Sequence, residues 1–389
     1  LSELILHSEL LNRLVDGKIP LKEDAYQIYQ EIGKDPSELY KVSQFLRSKK
    51  KGILVTYSRK VFFNLINLCR DTCSYCTYKS EPGQTKISML TKEDILQLAE
   101  IGKKYKCTEA LFVTGERPEQ KYEEAKTWLR ENGFSSTVEY LVHASEIALK
   151  GGLFPHTNAG NLTRDEMQEL KKTNVSLGLM LENSSERLLE KDMAHQFAPS
   201  KNPKARLKVL QNAGELKIPI TTGLLVGIGE TPIELIDSIY AIKEIHDKYQ
   251  HIQEVILQNF QPKQDTPMRN NSSPQEKYFK IIVALTRIIL PNMNIQIPPN
   301  LSPKSYSSFL AAGINDWGGI SPITQDYVNP EFPWPQIEEI QKNCSDAGFQ
   351  LRARFPVYPE FFASVDSDLR SKMLEIADSE NLVSREYVN

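Results

Sequence analysis

Asn67-Leu-Cys-Arg-Asp-Thr-Cys-Ser-Tyr-Cys-Thr-Tyr78 follows the apolar run Val61-Phe-Phe-Asn-Leu-Ile66 and sets Cys69, Cys73 and Cys76 in a C-x3-C-x2-C arrangement. The run reads as a strand over 61–67, with the cysteines on the loop that leaves it. A loop with that spacing can wrap one cube of iron and sulfide. Such cubes normally take four thiolates, so three leave one iron open to a ligand from outside the chain. The competing reading is a structural zinc site, which needs a fourth ligand such as His143 or Cys107. No second C-x2-C or H-x3-H half-site is present to supply it.

Outward from this stretch the pattern repeats. Short apolar or β-branched runs at 109–114, 153–157, 175–181, 219–226, 253–260, 293–297 and 313–317 are each followed by a polar loop and an amphipathic segment. Helix starts are marked by Thr163 with Glu166, by Thr231 with Pro232 and Glu234, and by Ser273 with Pro274 and Glu276, all able to cap orphan amides. Eight βα units close a TIM-type (β/α) barrel, full or nearly full, although a doubly wound open sheet gives a similar local pattern. The expected organisation is a helical N-terminal extension over 1–50, where Leu10, Leu11 and Leu14 and then Tyr26, Ile28, Tyr29 and Ile32 recur at helical spacing. The barrel follows over 51–330, and a C-terminal helical extension packed on it over 331–389.

The 389 residues are 40% apolar and 25% charged, enough for a sizeable core, and their formal charge of -3 provides no positive field for a nucleic-acid backbone. No stretch approaches the roughly 18 apolar residues that span a bilayer. The amino terminus shows no basic region leading into an apolar segment. Of five cysteines, three fall within one loop, which suits metal ligation in a reducing compartment better than a disulfide framework. A cytoplasmic enzyme is expected, acting on a small molecule, with no nucleic-acid or membrane partner.

The cysteine triplet resembles that of the radical S-adenosylmethionine (SAM) superfamily, and Tyr75 matches the aromatic position before its last cysteine. In that family the methionine amino and carboxylate groups of SAM chelate the open iron, and electron transfer yields methionine and a 5'-deoxyadenosyl radical. The resemblance implies a [4Fe-4S] cluster on Cys69, Cys73 and Cys76, SAM, and a reducing electron donor. Gly115 and Glu116 stand where the family carries a Gly-Gly-Glu-like motif facing the SAM amino group; a turn glycine beside a solvated acid is the plainer alternative. In Gly178-Leu-Met-Leu-Glu182-Asn-Ser184, Glu182 resembles a ribose or methionine contact, with Ser184 beside it. Arg206 resembles the arginine that pairs with the SAM carboxylate, and either charged residue could instead belong to a surface ion pair. Gly227, in Gly223-Leu-Leu-Val-Gly-Ile-Gly-Glu-Thr-Pro232, lies on the backbone against which the family packs adenine.

A narrower likeness runs from about residue 54 to 360. Thr56-Tyr-Ser-Arg-Lys-Val-Phe62, Gly115-Glu-Arg-Pro-Glu119, Pro155-His-Thr-Asn158 and Asn315-Asp-Trp-Gly-Gly-Ile-Ser-Pro322 are similar to the CofG family of 7,8-didemethyl-8-hydroxy-5-deazariboflavin (Fo) synthase subunits. Val113-Thr114-Gly115-Glu116 departs slightly from that family's Leu-Gly-Asp form. The likeness implies a lyase. The partner subunit CofH joins a tyrosine-derived hydroxybenzyl unit to 5-amino-6-(D-ribitylamino)uracil, and the deoxyadenosyl radical then abstracts hydrogen from the adduct before ring closure with loss of ammonia.

Asn158, Asn259, Asn315 and Asp326 are candidate substrate contacts at strand ends. Either His156 or Asp316 is the candidate base, while Asp316 and Trp317 could equally cap a turn and fill the barrel mouth. His143, His195, His246 and His251 read as surface or packing residues. Another small-molecule radical SAM enzyme, related to aminofutalosine or biotin synthase, and a metal-binding scaffold without catalysis are the remaining alternatives.

Overall fold

The computed structural model describes residues 6–32, 35–84 and 87–388. Eight strands run parallel in chain order: β1 (Leu54–Ile66), β2 (Glu109–Thr114), β3 (Phe154–Asn158), β4 (Ser176–Gly178), β5 (Ile220–Val226), β6 (Ile252–Asn259), β7 (Asn294–Gln296) and β8 (Asp316–Ile320). Each pairs with the next, and β1 pairs with both β2 and β8, so the sheet closes into a barrel. Closure decides between the barrel and the open sheet. Helices cover the outside, leaving β1 buried along nearly its whole length, as parallel strands with both faces covered require.

The caps at Thr163 and Thr231 form as expected, each hydroxyl accepting from the amide three residues on while Glu166 or Glu234 accepts from the cap amide. Ser273 does not cap. Its hydroxyl donates to Gln261 Oε1 at 2.9 Å, and the helix begins at Glu276 without a side-chain cap.

The C-terminal segment is not wholly helical. It carries β9 (Gln350–Arg354), which pairs in parallel with the first part of β1, Leu54–Ser58. Beyond β9 the chain crosses beneath the barrel, where the Ser176 and Gln253 side chains donate to the Pro356 carbonyl. Arg354 there meets Asp316 at 2.7 Å and Glu254 at 3.0 Å. The Tyr358 hydroxyl donates to Glu254 at 2.7 Å. This buried ion network seals the floor at the strand N-termini.

It also relocates two expected site residues. Asp316 is fully buried as the floor partner of Arg354 and of the Thr56 hydroxyl. Asn315 accepts from Arg287 at 2.8 Å and from the Ile295 amide at 3.0 Å. Neither reaches the barrel mouth, because β8 begins at Asp316 rather than ending there.

Candidate active site

A single cavity of about 340 Å³ enters at the C-terminal ends of the strands and runs inside the barrel to the floor, the end where barrel enzymes gather their catalytic groups. Cys69, Cys73 and Cys76 line its mouth. Their loop is tied down on several sides. Thr72 and Ser74 amides donate to Phe197 and Ala194 carbonyls at 2.8 and 2.9 Å, the Arg70 amide donates to Glu116 O at 2.8 Å, and the Glu116 amide donates to Cys69 Sγ at 3.2 Å.

The zinc alternative lacks its fourth ligand. Cys107 is buried against the Lys60 carbonyl, His143 sits beside Glu146 on the helix Thr137–Lys150, and neither lines the cavity. Among the described residues no three His, Cys, Asp or Glu side chains close on a point as the ligands of one ion do. A cube binds each thiolate at a different iron, so its ligands stay further apart. Burial pushes the Cys69 thiol up to about 11 and the Cys73 thiol up to about 12. A coordinating metal deprotonates such thiols outright; three thiols on one loop at the cavity, with no fourth protein ligand beside them among the described residues, are the donor set that fits a cluster with one open iron.

Gly115 fixes the second strand against this loop. A Cβ there would lie 1.9 Å from Leu68 O and 2.7 Å from Cys69 Cα, both backbone atoms. Gly115→Ala is expected to cost about 1–3 kcal/mol or more and to displace the first cysteine. Thermal melting and iron content of the reconstituted protein check this, and wild-type values for both would contradict it.

Glu116 points into the cavity with one carboxylate oxygen accepting from the Asn161 amide at 3.0 Å. The other, Oε1, is buried without a hydrogen bond among the described residues and has only the longer ion-pair contacts of Arg70 at 3.8 Å and Arg117 at 3.9 Å, and burial raises the carboxyl above its ordinary range. Such an oxygen calls for a donor from a ligand. Gly160 makes room for the hydrogen-bonded oxygen, since a Cβ there would fall 1.9 Å from Glu116 Oε2. Glu182, held in the left-handed region at φ 63°, accepts from Lys201 Nζ at 2.6 Å. Arg206 donates to the Ser200 and Met180 carbonyls and lines the same wall. Tyr75, also on the wall, meets His195 Nε2 at 3.1 Å.

Two expected SAM contacts stand elsewhere. Ser184 is taken up by Ser238 on the neighbouring helix Pro232–Tyr249, at 3.0 Å between hydroxyls. The Gly227 amide donates to Glu230 at 2.6 Å. Neither residue lines the cavity, and Leu225 and Phe260 form that part of the wall.

Asn158 and Asn259, the last residues of β3 and β6, and Asp326, on the loop after β8, line the cavity at the strand C-terminal ends, as expected. Asn259 is oriented by the Leu301 carbonyl at 3.0 Å and Asp326 by the Val328 amide at 2.9 Å. His156 is set by a relay. The Ser176 hydroxyl spends its one proton on the Pro356 carbonyl, so at 2.6 Å it must accept from His156 Nδ1. Burial drives the imidazole down to about 4, which leaves a neutral ring whose Nε2 lone pair faces the cavity beside Gly178.

Residues 63–240 match the radical SAM superfamily. The chain is 48% identical over 309 residues to the 7,8-didemethyl-8-hydroxy-5-deazariboflavin synthase of Methanopyrus kandleri, covering 79% of this chain and 92% of that one. It is 44% identical over 326 residues to the same-named enzyme of Methanocaldococcus jannaschii, covering 83% and 89%. The chain belongs to this synthase family. The crystal structure of methylornithine synthase (PylB) matches with a TM-score of 0.71 at 17% identity, covering 92% of this chain and 100% of that one, a likeness in fold alone.

In this member of the synthase family, then, the chain is an enzyme of the radical SAM superfamily with a closed barrel. No helix among its described residues is long and apolar enough to cross a membrane. Sequence reasoning missed Lys201, Lys60 and Glu109 on the cavity wall, while His195, read as a surface or packing residue, is buried against Tyr75. Lys60 lies one residue ahead of the strand expected at 61–67, so its inward position on β1 could not be read from the pattern.

The buried histidine makes the synthase fold acid-sensitive. His156 has a folded value of about 4, below the ordinary value of about 6.5, so the unfolded chain takes up its proton first. Its contribution is complete above the unfolded value and is lost as pH falls towards the folded one. Near pH 5 the loss comes to about 2 kcal/mol. Urea unfolding of wild type and His156→Gln between about pH 7 and 5 should give a steeper fall for wild type, and parallel curves would contradict the assignment.

Proposed function

We propose that this chain catalyses the second half of deazaflavin formation. It takes the adduct that CofH makes from 5-amino-6-(D-ribitylamino)uracil and a tyrosine-derived hydroxybenzyl group and closes it to Fo, with loss of ammonia and with methionine and 5'-deoxyadenosine as coproducts. The observation that carries this reading is the continuity of one cavity from the three cysteines down to His156, with relatives of that name covering most of the chain.

Cys69, Cys73 and Cys76 would hold the cluster, which with SAM on its open iron supplies the 5'-deoxyadenosyl radical. Glu116 Oε1, which makes no hydrogen bond of its own, would take the SAM ammonium, and Arg206 its carboxylate, a pairing suited to a guanidinium. Glu182, steadied by Lys201, serves the ribose. Tyr75 and His195 pack together behind the cysteines and exclude water. Inside the barrel His156 Nε2 accepts the proton released in ring closure, while Asn158, Asn259 and Asp326, nearer the mouth, hold polar groups of the adduct. CofH and a low-potential electron donor are the partners, and a reducing compartment keeps the thiols available.

The test is anaerobic reconstitution with iron, sulfide and SAM in the presence of CofH, tyrosine and the diaminouracil, with Fo followed by its fluorescence after chromatography. Fo together with 5'-deoxyadenosine is the expected result. Sustained SAM cleavage without Fo would replace this reading with a radical SAM reaction on another small molecule.

A further inference from the structure

We infer that Lys60 and Glu109 form a recognition pair for the imide edge of a pyrimidinedione, so that the heterocycle of the substrate enters the barrel first. The inference rests on the function proposed above and deepens it. Lys60 and Glu109 are direct register partners on β1 and β2, which puts their side chains on one face, about 4.8 Å apart at the strands. Both line the cavity, and each is only 6% exposed.

Neither side chain makes a hydrogen bond or a close ion pair with any described residue, and the opposite charge that acts most strongly on Lys60 is Glu109 itself, at longer range, in contrast to the charges of the floor. Arg354 has Asp316 and Glu254, and Glu254 has Tyr358 as well. Burying a charge without such partners opposes folding, and sites of this kind are kept when a ligand completes them.

The pair is built rather than accidental. Lys60 Nζ lies 4.4 Å from the centre of the Trp334 ring and 5.5 Å from that of Phe62, contacts that aim the ammonium without using its N–H donors. Gly319 on β8 gives the side chain its room, since a Cβ there would stand 2.4 Å from Lys60 Cδ and 3.0 Å from Nζ. The wall thus offers a donor and an acceptor side by side.

A ligand that satisfies both must present a carbonyl oxygen next to an N–H. The edge of a uracil ring has that order, with the carbonyl for Lys60 and the ring N–H for Glu109. A phenol offers one oxygen to both groups and would draw ammonium and carboxylate onto a single atom. With the heterocycle at this depth, the benzylic end of the adduct points back towards the cysteine loop.

The experiment titrates cluster-loaded, SAM-bound protein with 5-amino-6-(D-ribitylamino)uracil and, separately, with p-cresol, by calorimetry, in wild type, Lys60→Met and Glu109→Gln. The uracil should bind roughly tenfold to a hundredfold more weakly to each variant, as loss of a charge-assisted hydrogen bond implies. The p-cresol affinity should stay within about twofold. The double variant, freed of two buried charges, should melt above wild type in the absence of ligand, which a merely structural pair would not do. Uracil affinity unchanged in both variants, no uracil binding to wild type, or loss of p-cresol binding in place of uracil binding would each overturn the inference. Absence of Fo from wild type alongside pair-dependent uracil binding would instead overturn the proposed reaction and leave the pair standing.

Discussion

Cys73→Ala protein, reconstituted with iron and sulfide, is expected to lose both the broad brown absorbance of the cluster and all formation of 5'-deoxyadenosine. Cys73 is half-buried at the cavity mouth, between the other two ligands in the chain, on a loop whose amides are already committed to Phe197 and Ala194. The loop cannot shift to bring another donor in. Neither His143 nor Cys107 faces the cavity, so two thiolates would be left to hold a cube, and they hold it poorly. Because the radical source disappears, the loss is that of the whole enzymatic acceleration, about 10⁶-fold or more, and activity falls to the detection floor. Cys107→Ala is the control, since its thiol, buried in the core, hydrogen-bonds the Lys60 carbonyl and does not line the cavity, so its removal leaves the cluster ligands in place. Iron and sulfide quantitation with product analysis decides the matter. A Cys73→Ala protein that keeps its cluster and its activity would end the ligand assignment.

That prediction could be made from the sequence because the three cysteines are close together in the chain. Spacing along one loop is a local property, and the strand that feeds the loop is a strongly apolar one. The barrel was legible for the same reason, strand by strand, at 109–114 and near 219–226 and 253–260. β1 nevertheless begins at Leu54, ahead of the expected Val61, because its first part carries Thr56, Ser58 and Lys60 on the inward face. β9 was hidden by Arg352 and Arg354, charges that become tolerable only when Asp378, Asp316 and Glu254 arrive from elsewhere.

The site calls for finer information than spacing contains. Taking 313–317 as a strand put Asp316 at the mouth; the strand occupies Asp316–Ile320, and exchanging a strand's end for its start moves a residue to the opposite side of the barrel. Ser184 and Gly227 follow strands as expected, but their polar groups are claimed by Ser238 and Glu230, which no local pattern shows. His195 meets Tyr75 across a long separation in sequence. Nothing near either residue announces the other.

The second large effect concerns His156, and its value lies in separating two steps. His156→Gln should leave SAM cleavage close to wild type, since the cluster, Glu116 and Arg206 lie at the mouth, while Fo formation falls by about 10²–10⁴-fold, the usual contribution of a positioned base. The ratio of Fo to 5'-deoxyadenosine is the measurement, because it is insensitive to cluster loading. Ser176→Ala should lower the same ratio less. It frees the ring from the Pro356 relay and lets the proton move to Nε2, so that a fraction of the protein carries the wrong tautomer. Since burial places the imidazole at about 4, the wild-type ratio should show no acid limb near the ordinary histidine value of about 6.5. A ratio unchanged in His156→Gln would remove the histidine from the reaction. A parallel fall in both products would make it a group that positions the adduct for hydrogen abstraction and takes no proton itself.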